Sequence, residues 1–220
     1  MKKISNSLFI LFFIFIIEGC SKSPEKIKYL ALGDSYTIGE NIEVKDRWPN
    51  QLSKRIEESY NYSVETKIVA KTGYTTNELI EKINTITITD NYNYVSLLIG
   101  VNNQYRDLDI RIFEEELNIL IDKSIGFASG RSDSVFVLSI PDWGVTPFAE
   151  LKEVIEISEE IDEYNRLIEK TCLKKGVKYY YITDISRKVN LIDGLLASDG
   201  LHPSALMYSM WVDNLIEFFN

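Results

Sequence analysis

Short, nearly unbroken apolar runs alternate along this chain with segments whose apolar residues recur every three or four positions. The runs cover residues 27–32, 64–70, 94–99, 134–140 and 177–182, and they are rich in β-branched and aromatic side chains. A strand that is apolar on both faces must be covered on both faces, which is the condition of a parallel sheet held between helices. The intervening segments 48–58, 76–84, 110–125 and 149–174 carry helical spacing, and a last helix, 205–219, closes the chain. Thr75 or Thr76 is placed to cap the second of these helices, with Glu78 close behind.

Strand-helix alternation of this kind predicts right-handed crossovers within one α/β domain, and 220 residues suffice for a single substantial core. Ligands of such sheets bind beyond the carboxyl ends of the strands. The loops there carry Gly33-Asp34-Ser35, Thr72-Gly73-Tyr74, Gly100-Val101-Asn102-Asn103 and Pro141-Asp142-Trp143-Gly144. All four are expected at one edge.

The chain has a single histidine, His202, within Asp199-Gly200-Leu201-His202-Pro203. A serine hydroxyl attacks well only when a positioned base takes its proton, and that base needs an orienting partner. Any Ser-His chemistry here must therefore use His202. Asp199, three residues before it, is near enough to hold one imidazole nitrogen and leave the other for Ser35. An oxyanion also needs donors: Gly73 offers an unobstructed backbone N–H and Asn102 a side-chain amide. Each block alone has a plainer explanation. Gly-Asp-Ser can be a tight turn with a capping serine, Gly73 a left-handed turn residue, Asn102 a loop-capping amide, and His202 a surface residue after a turn.

Taken in order and spacing, Gly33-Asp34-Ser35, Gly73, Gly100-Val101-Asn102 and Asp199-Gly200-Leu201-His202-Pro203 resemble the four blocks of the SGNH (GDSL-like) hydrolases. The resemblance spans about residues 27–220. It implies a three-layer α/β/α, flavodoxin-like fold with a five-stranded parallel sheet. It also implies Ser35 as nucleophile, His202 as base, Asp199 as its orienting carboxylate, and an oxyanion hole from the Ser35 and Gly73 amides with Asn102. One position departs from the pattern: the family usually has aspartate where this chain has Asn103, which leaves the local hydrogen-bond network open. Tyr36, Gln104, Tyr105, Arg106, Trp143 and Phe148 come from the same loops. Loop packing is the plainer reading for each, and Arg106 is expected to pair with Asp107 or Asp109. Asp142 is a second candidate to orient His202.

The amino terminus carries a different message. Lys2 and Lys3 precede an apolar stretch, residues 8–17, and Glu18-Gly19-Cys20 follows. Ten residues rise about 15 Å as a helix, half of a roughly 30 Å hydrocarbon core, so the stretch reads as a signal segment rather than a span. It resembles a bacterial lipoprotein signal, which implies cleavage after residue 19, acylation of Cys20 and a short tether, 20–26. The expected location is then extracytoplasmic, in the cell envelope, with membrane contact through the anchor at Cys20. Cleavage removes two lysines and one glutamate and takes the net charge from -9 to -10. So acidic a chain, without a basic run, is not a nucleic-acid binder. With Cys20 acylated, Cys172 has no partner for a disulfide and is expected to be a buried apolar residue. One histidine, with no clustered cysteines, leaves no metal site expected and no cofactor.

The function expected is a metal-independent serine esterase. Its substrate class stays open among lipid or lysophospholipid esters, short acyl groups on glycans, and thioesters. Two rival readings are an inactive lipid-anchored protein that binds acylated glycans or lipids in the same cleft, and an acyltransferase. The oligomeric state is unconstrained.

Overall fold

A computed structural model of the chain describes residues 23–88, 91–149 and 154–219. The signal segment 1–19, Cys20 and the next two tether residues lie outside the described residues. The five expected strands are β1 (Glu25–Gly33), β2 (Tyr62–Ala70), β3 (Tyr94–Leu98), β4 (Val135–Leu138) and β5 (Lys178–Tyr180). They form one sheet in the order β2-β1-β3-β4-β5, with every neighbouring pair parallel. The first strand starts two residues before the apolar run that predicted it. Glu25 and Lys26 pair with Tyr62 and Ser63, so the end of the expected tether belongs to the sheet.

The longer helices are α2 (Trp48–Ser59), α3 (Thr76–Thr85), α5 (Ile110–Phe127), α6 (Val154–Lys175) and α8 (Ala205–Leu215). Three short ones, α1 (Ser35–Ile38), α4 (Val101–Tyr105) and α7 (Thr183–Ser186), follow strand ends. On one face α2 packs against α8, and on the other α3, α5 and α6 pack in sequence. That division follows from handedness: β1 steps outward to β2, and the later crossovers run the opposite way across the sheet. Thr75 caps α3 with Glu78 in a reciprocal capping box. Ala149 lies in a bend, so the helix expected from residue 149 begins later, and residues 150–153 lie outside the described residues. The final helix gives way to a tighter 3-10 turn over Ile216–Phe219.

The register decides where function sits. Gly33, the last residue of β1, is opposite Ala70 of β2 and Leu98 of β3. Three chains therefore leave the sheet at one level, and within two to four residues they reach Ser35, Gly73 and Asn102. A side chain at Gly33 would overlap the Thr37 hydroxyl and the Leu98 carbonyl, so only glycine lets the turn fold back this tightly.

Beneath this edge the strands are apolar on both sides, with Tyr29, Leu30, Leu32, Val95, Leu97 and Phe136 fully buried. The Tyr29 hydroxyl meets Ser96 Oγ at 2.7 Å in this core, a polar pair that ties β1 to β3. Truncating one partner leaves the other buried and unpaired at a cost of about 1–3 kcal/mol, whereas losing both is far milder. Tyr29→Phe and Ser96→Ala are thus each expected to lower the unfolding free energy, and the double variant to lose less than their sum in urea denaturation.

Candidate active site

His202 stands between a bridge and a cap. Pro203 pairs with Leu196, and Ser204 caps α8 while its hydroxyl donates to the Gly194 carbonyl at 2.6 Å. The Asp199 carboxylate folds back on its own turn: Oδ1 accepts the backbone N–H of Leu201 and of His202, each at 3.0 Å. Its other oxygen, Oδ2, lies 2.6 Å from His202 Nδ1. Asn41, on the loop after α1, also donates its Nδ2 to Oδ2. Loss of hydration at this carboxylate, whose side chain keeps 25% exposure, pushes its pKa up. The bonds from the His202 ring, the two backbone N–H groups and Asn41 together outweigh that and hold it well below the usual carboxylate range. The Tyr36 ring, 5.7 Å away between centroids, supports the imidazole from the side.

Ser35 is the first residue of α1, directly after the capping Asp34. Ser35 and His202 line one cavity of about 170 Å³, with Thr72, Gly73 and Asn102. Among the described residues no hydrogen bond joins the Ser35 hydroxyl to the ring, and the N–H groups of Ser35 and Gly73 donate to no protein acceptor. Gly73 adopts φ +85°, a conformation open to glycine. Asn102 Nδ2 spends one hydrogen on the Tyr74 carbonyl at 2.9 Å, which leaves the second for a ligand. The structure thus brings together Ser35, Gly73, Asn102, Asp199 and His202 from both ends of the chain. Cys20 lies outside the described residues.

The surroundings differ from the sequence expectation at two positions, Arg106 and Asp142. Arg106 pairs with Glu78 at 3.3 Å and donates to the Gly73 carbonyl at 2.5 Å, while Asp109 is taken by Arg111. It holds the glycine loop, a contact between residues 33 apart that local charge spacing does not reveal. Asp142 is fully buried against Arg187 at 2.9 Å and accepts the Gly144 N–H, so it makes no bond to His202. Glu116, on α5, accepts the Thr76 hydroxyl. Asn103 resolves the departure from the family pattern: Oδ1 accepts the Thr76 N–H at 3.0 Å and Nδ2 donates to the Thr76 hydroxyl at 2.7 Å. The amide thus holds the start of α3, where an aspartate could accept but not donate. Cys172 is buried and free, with its thiol pushed up to about 12 by burial.

One wall of the cavity is apolar, built from Tyr36, Val101, Tyr105, Trp143, Phe148 and Leu201. Trp143 is buried and anchored, its Nε1–H donating to Gln104 Oε1 at 2.7 Å, and Gln104 in turn donates to Glu160. Tyr105 and Phe148 pack on it edge to face and stay half exposed, so they form the rim.

A serine at a helix start, an imidazole paired with a carboxylate and unspent N–H donors around one cavity define a protein suited to acyl transfer. The sequence profile of the GDSL-like lipase/acylhydrolase family matches residues 31–210, and the chain belongs to that family of serine ester hydrolases. Among solved structures, a lipase/acylhydrolase from Enterococcus faecalis superposes with a TM-score of 0.69 at 19% identity, over 87% of this chain and 94% of that one. Axe2, an acetylxylan esterase from Geobacillus stearothermophilus, gives 0.69 at 16% identity over 90% and 96%. The psychrotrophic esterase EstA from Pseudoalteromonas sp., in a structure inhibited by monoethylphosphonate, gives 0.64 at 14% identity over 87% and 96%. At these identities the likeness is one of fold. No curated protein sequence matches the chain significantly.

Asp34, beside the serine, has the opposite electrostatics from Asp199. It is buried; Oδ1 accepts the Tyr36 N–H at 3.0 Å, and Oδ2 has no partner among the described residues. Burial raises its pKa to about 7, against a smaller lowering by the backbone hydrogen bonds. The folded state therefore keeps a proton that the unfolded chain gives up near pH 4. Stability from this group is full below about pH 4 and is lost as pH rises to about 7, a loss of roughly 4 kcal/mol at most. Relative to wild type, Asp34→Asn is expected to gain stability steadily across that window and no further above it. Urea unfolding of both proteins from pH 4 to 8 measures this, and a pH-independent difference excludes it.

Proposed function

We propose that the chain is a serine esterase that hydrolyses carboxylic esters through an acyl-enzyme on Ser35. The observation that carries this reading is the meeting of Ser35 with the His202–Asp199 pair at one cavity, beside the Ser35 and Gly73 N–H groups, which have no acceptor among the described residues. The Ser35 oxygen attacks the ester carbonyl as its proton passes to His202 Nε2. Asp199 holds Nδ1–H and stabilises the imidazolium that forms. The carbonyl oxygen, now an oxyanion, takes hydrogen bonds from the Ser35 and Gly73 N–H groups and from Asn102. Collapse expels the alkoxide, which receives the proton from Nε2. A water then attacks the acyl-enzyme with His202 again as base, releasing the acid and restoring Ser35. Catalytic hydrogen bonds are often long before substrate binds and tighten only in the complex.

The aromatic wall suits an acyl group or a sugar ring, which fits lipid or lysophospholipid esters and acyl groups on glycans. In the lipid-anchored, extracytoplasmic form expected from the amino terminus, anchor and site lie at opposite ends of β1. From Glu25 to Gly33 the strand climbs about 26 Å. The five steps from Cys20 to Glu25 reach at most about 18 Å. The tether is shorter than the strand, so an upright domain holds the cavity away from its own bilayer, which favours esters offered from the aqueous side.

The rival reading, an inactive binding protein, draws on the unbonded Ser35 hydroxyl. A fluorophosphonate probe separates the two, because only an activated serine reacts. Wild type is expected to label at Ser35 and hydrolyse p-nitrophenyl acetate, and Ser35→Ala to do neither while melting at a similar temperature. Asn102→Ala is expected to lower kcat by about two to three orders of magnitude with KM little changed. Absence of labelling in folded wild type refutes the esterase, and an unchanged kcat in Asn102→Ala removes that residue from the oxyanion hole.

A further inference from the structure

The turn after α1 carries two side chains that line no part of the cavity yet touch both halves of the machinery around it. Gly39 ends α1 in the left-handed conformation, and its N–H and that of Glu40 both bond to the Ser35 carbonyl, at 3.0 and 3.2 Å. The Glu40 carboxylate accepts the hydroxyl of Thr72, next to Gly73. Asn41 donates its amide to the same Asp199 oxygen that holds the His202 ring. Two consecutive residues, tied by backbone to the serine, thus grip the glycine loop with one side chain and the carboxylate with the other. We propose that Glu40 and Asn41 are positioning residues of the esterase: Glu40 sets the Gly73 donor, and Asn41 orients Asp199 and shares its charge.

The backbone supports a dedicated role for Asn41. It sits at φ +59°, where asparagine is tolerated better than most side chains. Oδ1 of Asp199 is already engaged by its own turn, so Oδ2 is the free end, and Asn41 and the imidazole share it. An amide hydrogen on that oxygen draws off part of the negative charge facing Nδ1–H. Without it, the carboxylate stabilises the protonated ring more strongly, and the base stays occupied to higher pH. Tyr36, which packs on the ring, and Tyr208 on α8 both feel the Asp199 charge, and around these two tyrosines stand Asp34, Arg47 ahead of α2 and Asp142 after β4. All of them remain in the variants below.

The inference rests on the esterase reading, which fluorophosphonate labelling tests separately in every protein used. Asn41→Gly keeps the left-handed backbone open while removing the donor, so it isolates the hydrogen bond from backbone strain. In the full chain, assayed with p-nitrophenyl acetate and normalised to labelled serine, Asn41→Gly is expected to lower kcat about tenfold at unchanged KM. The acid limb of its kcat/KM profile is expected to move to higher pH by about half a unit or more. Asn41→Asp, nearly the same shape with a like charge facing Asp199, is expected to move it further. Glu40→Ala is expected to lower kcat several-fold with the limb unmoved, because it touches the donor side alone. An acid limb that stays in place in both Asn41 variants overturns the Asn41 assignment, whatever kcat does. A Glu40→Ala enzyme with wild-type kcat overturns the other half.

Discussion

The parallel register that ends β1, β2 and β3 at Gly33, Ala70 and Leu98 is the constraint on which the rest of this molecule depends. Hydrogen bonding along buried strands permits no gradual adjustment, since a one-residue slip would send every side chain to the opposite packed face. Once that register holds, Ser35, Gly73 and Asn102 must emerge within a few residues of one another. The tight exit past Gly33 then brings the serine onto the first turn of α1, where its own backbone N–H has no acceptor among the described residues. The meeting of these three residues is in this sense a consequence of sheet geometry, and α8, which follows the histidine turn, packs on α2.

Two aspartates near the serine show how environment, and not residue type, decides chemistry. Asp199 sits in a turn that supplies it with N–H donors on one oxygen and an imidazole and an amide on the other. It is held as an anion. Asp34 has one donor and a buried oxygen without a partner among the described residues, and it retains its proton to higher pH. Two carboxyl groups in one neighbourhood are thus pushed in opposite directions, one by the donors it accepts and the other by burial.

The sheet, its helices and the convergence of four loops were legible from periodicity, because a twofold apolar run and a 3.6-residue stripe have different burial requirements. Cys172 was readable as a core residue because an acylated Cys20 would leave it no disulfide partner. The partners of charged side chains were not. Arg106 has acidic neighbours at positions 107 and 109, but the chain fold offers it Glu78 and the Gly73 carbonyl instead. Asp142 looked free to serve the histidine until Arg187, 45 residues later, claimed it. Asn103 and Glu116 meet at Thr76 across a helix interface that sequence spacing does not encode.

By itself the sequence determined the class of fold, the edge at which chemistry collects, and the choice of His202, since no other imidazole exists. It also carried the Asp199–His202 partnership, because three residues of turn keep the two groups within reach in almost any conformation. Tertiary structure alone decided that Asn41 completes the Asp199 carboxylate, that Glu40 grips the loop bearing Gly73, and that Asp34 is sealed from water. Those contacts join residues up to 158 positions apart. Their existence depends on which helix packs on which, and local preferences of the chain say nothing about that.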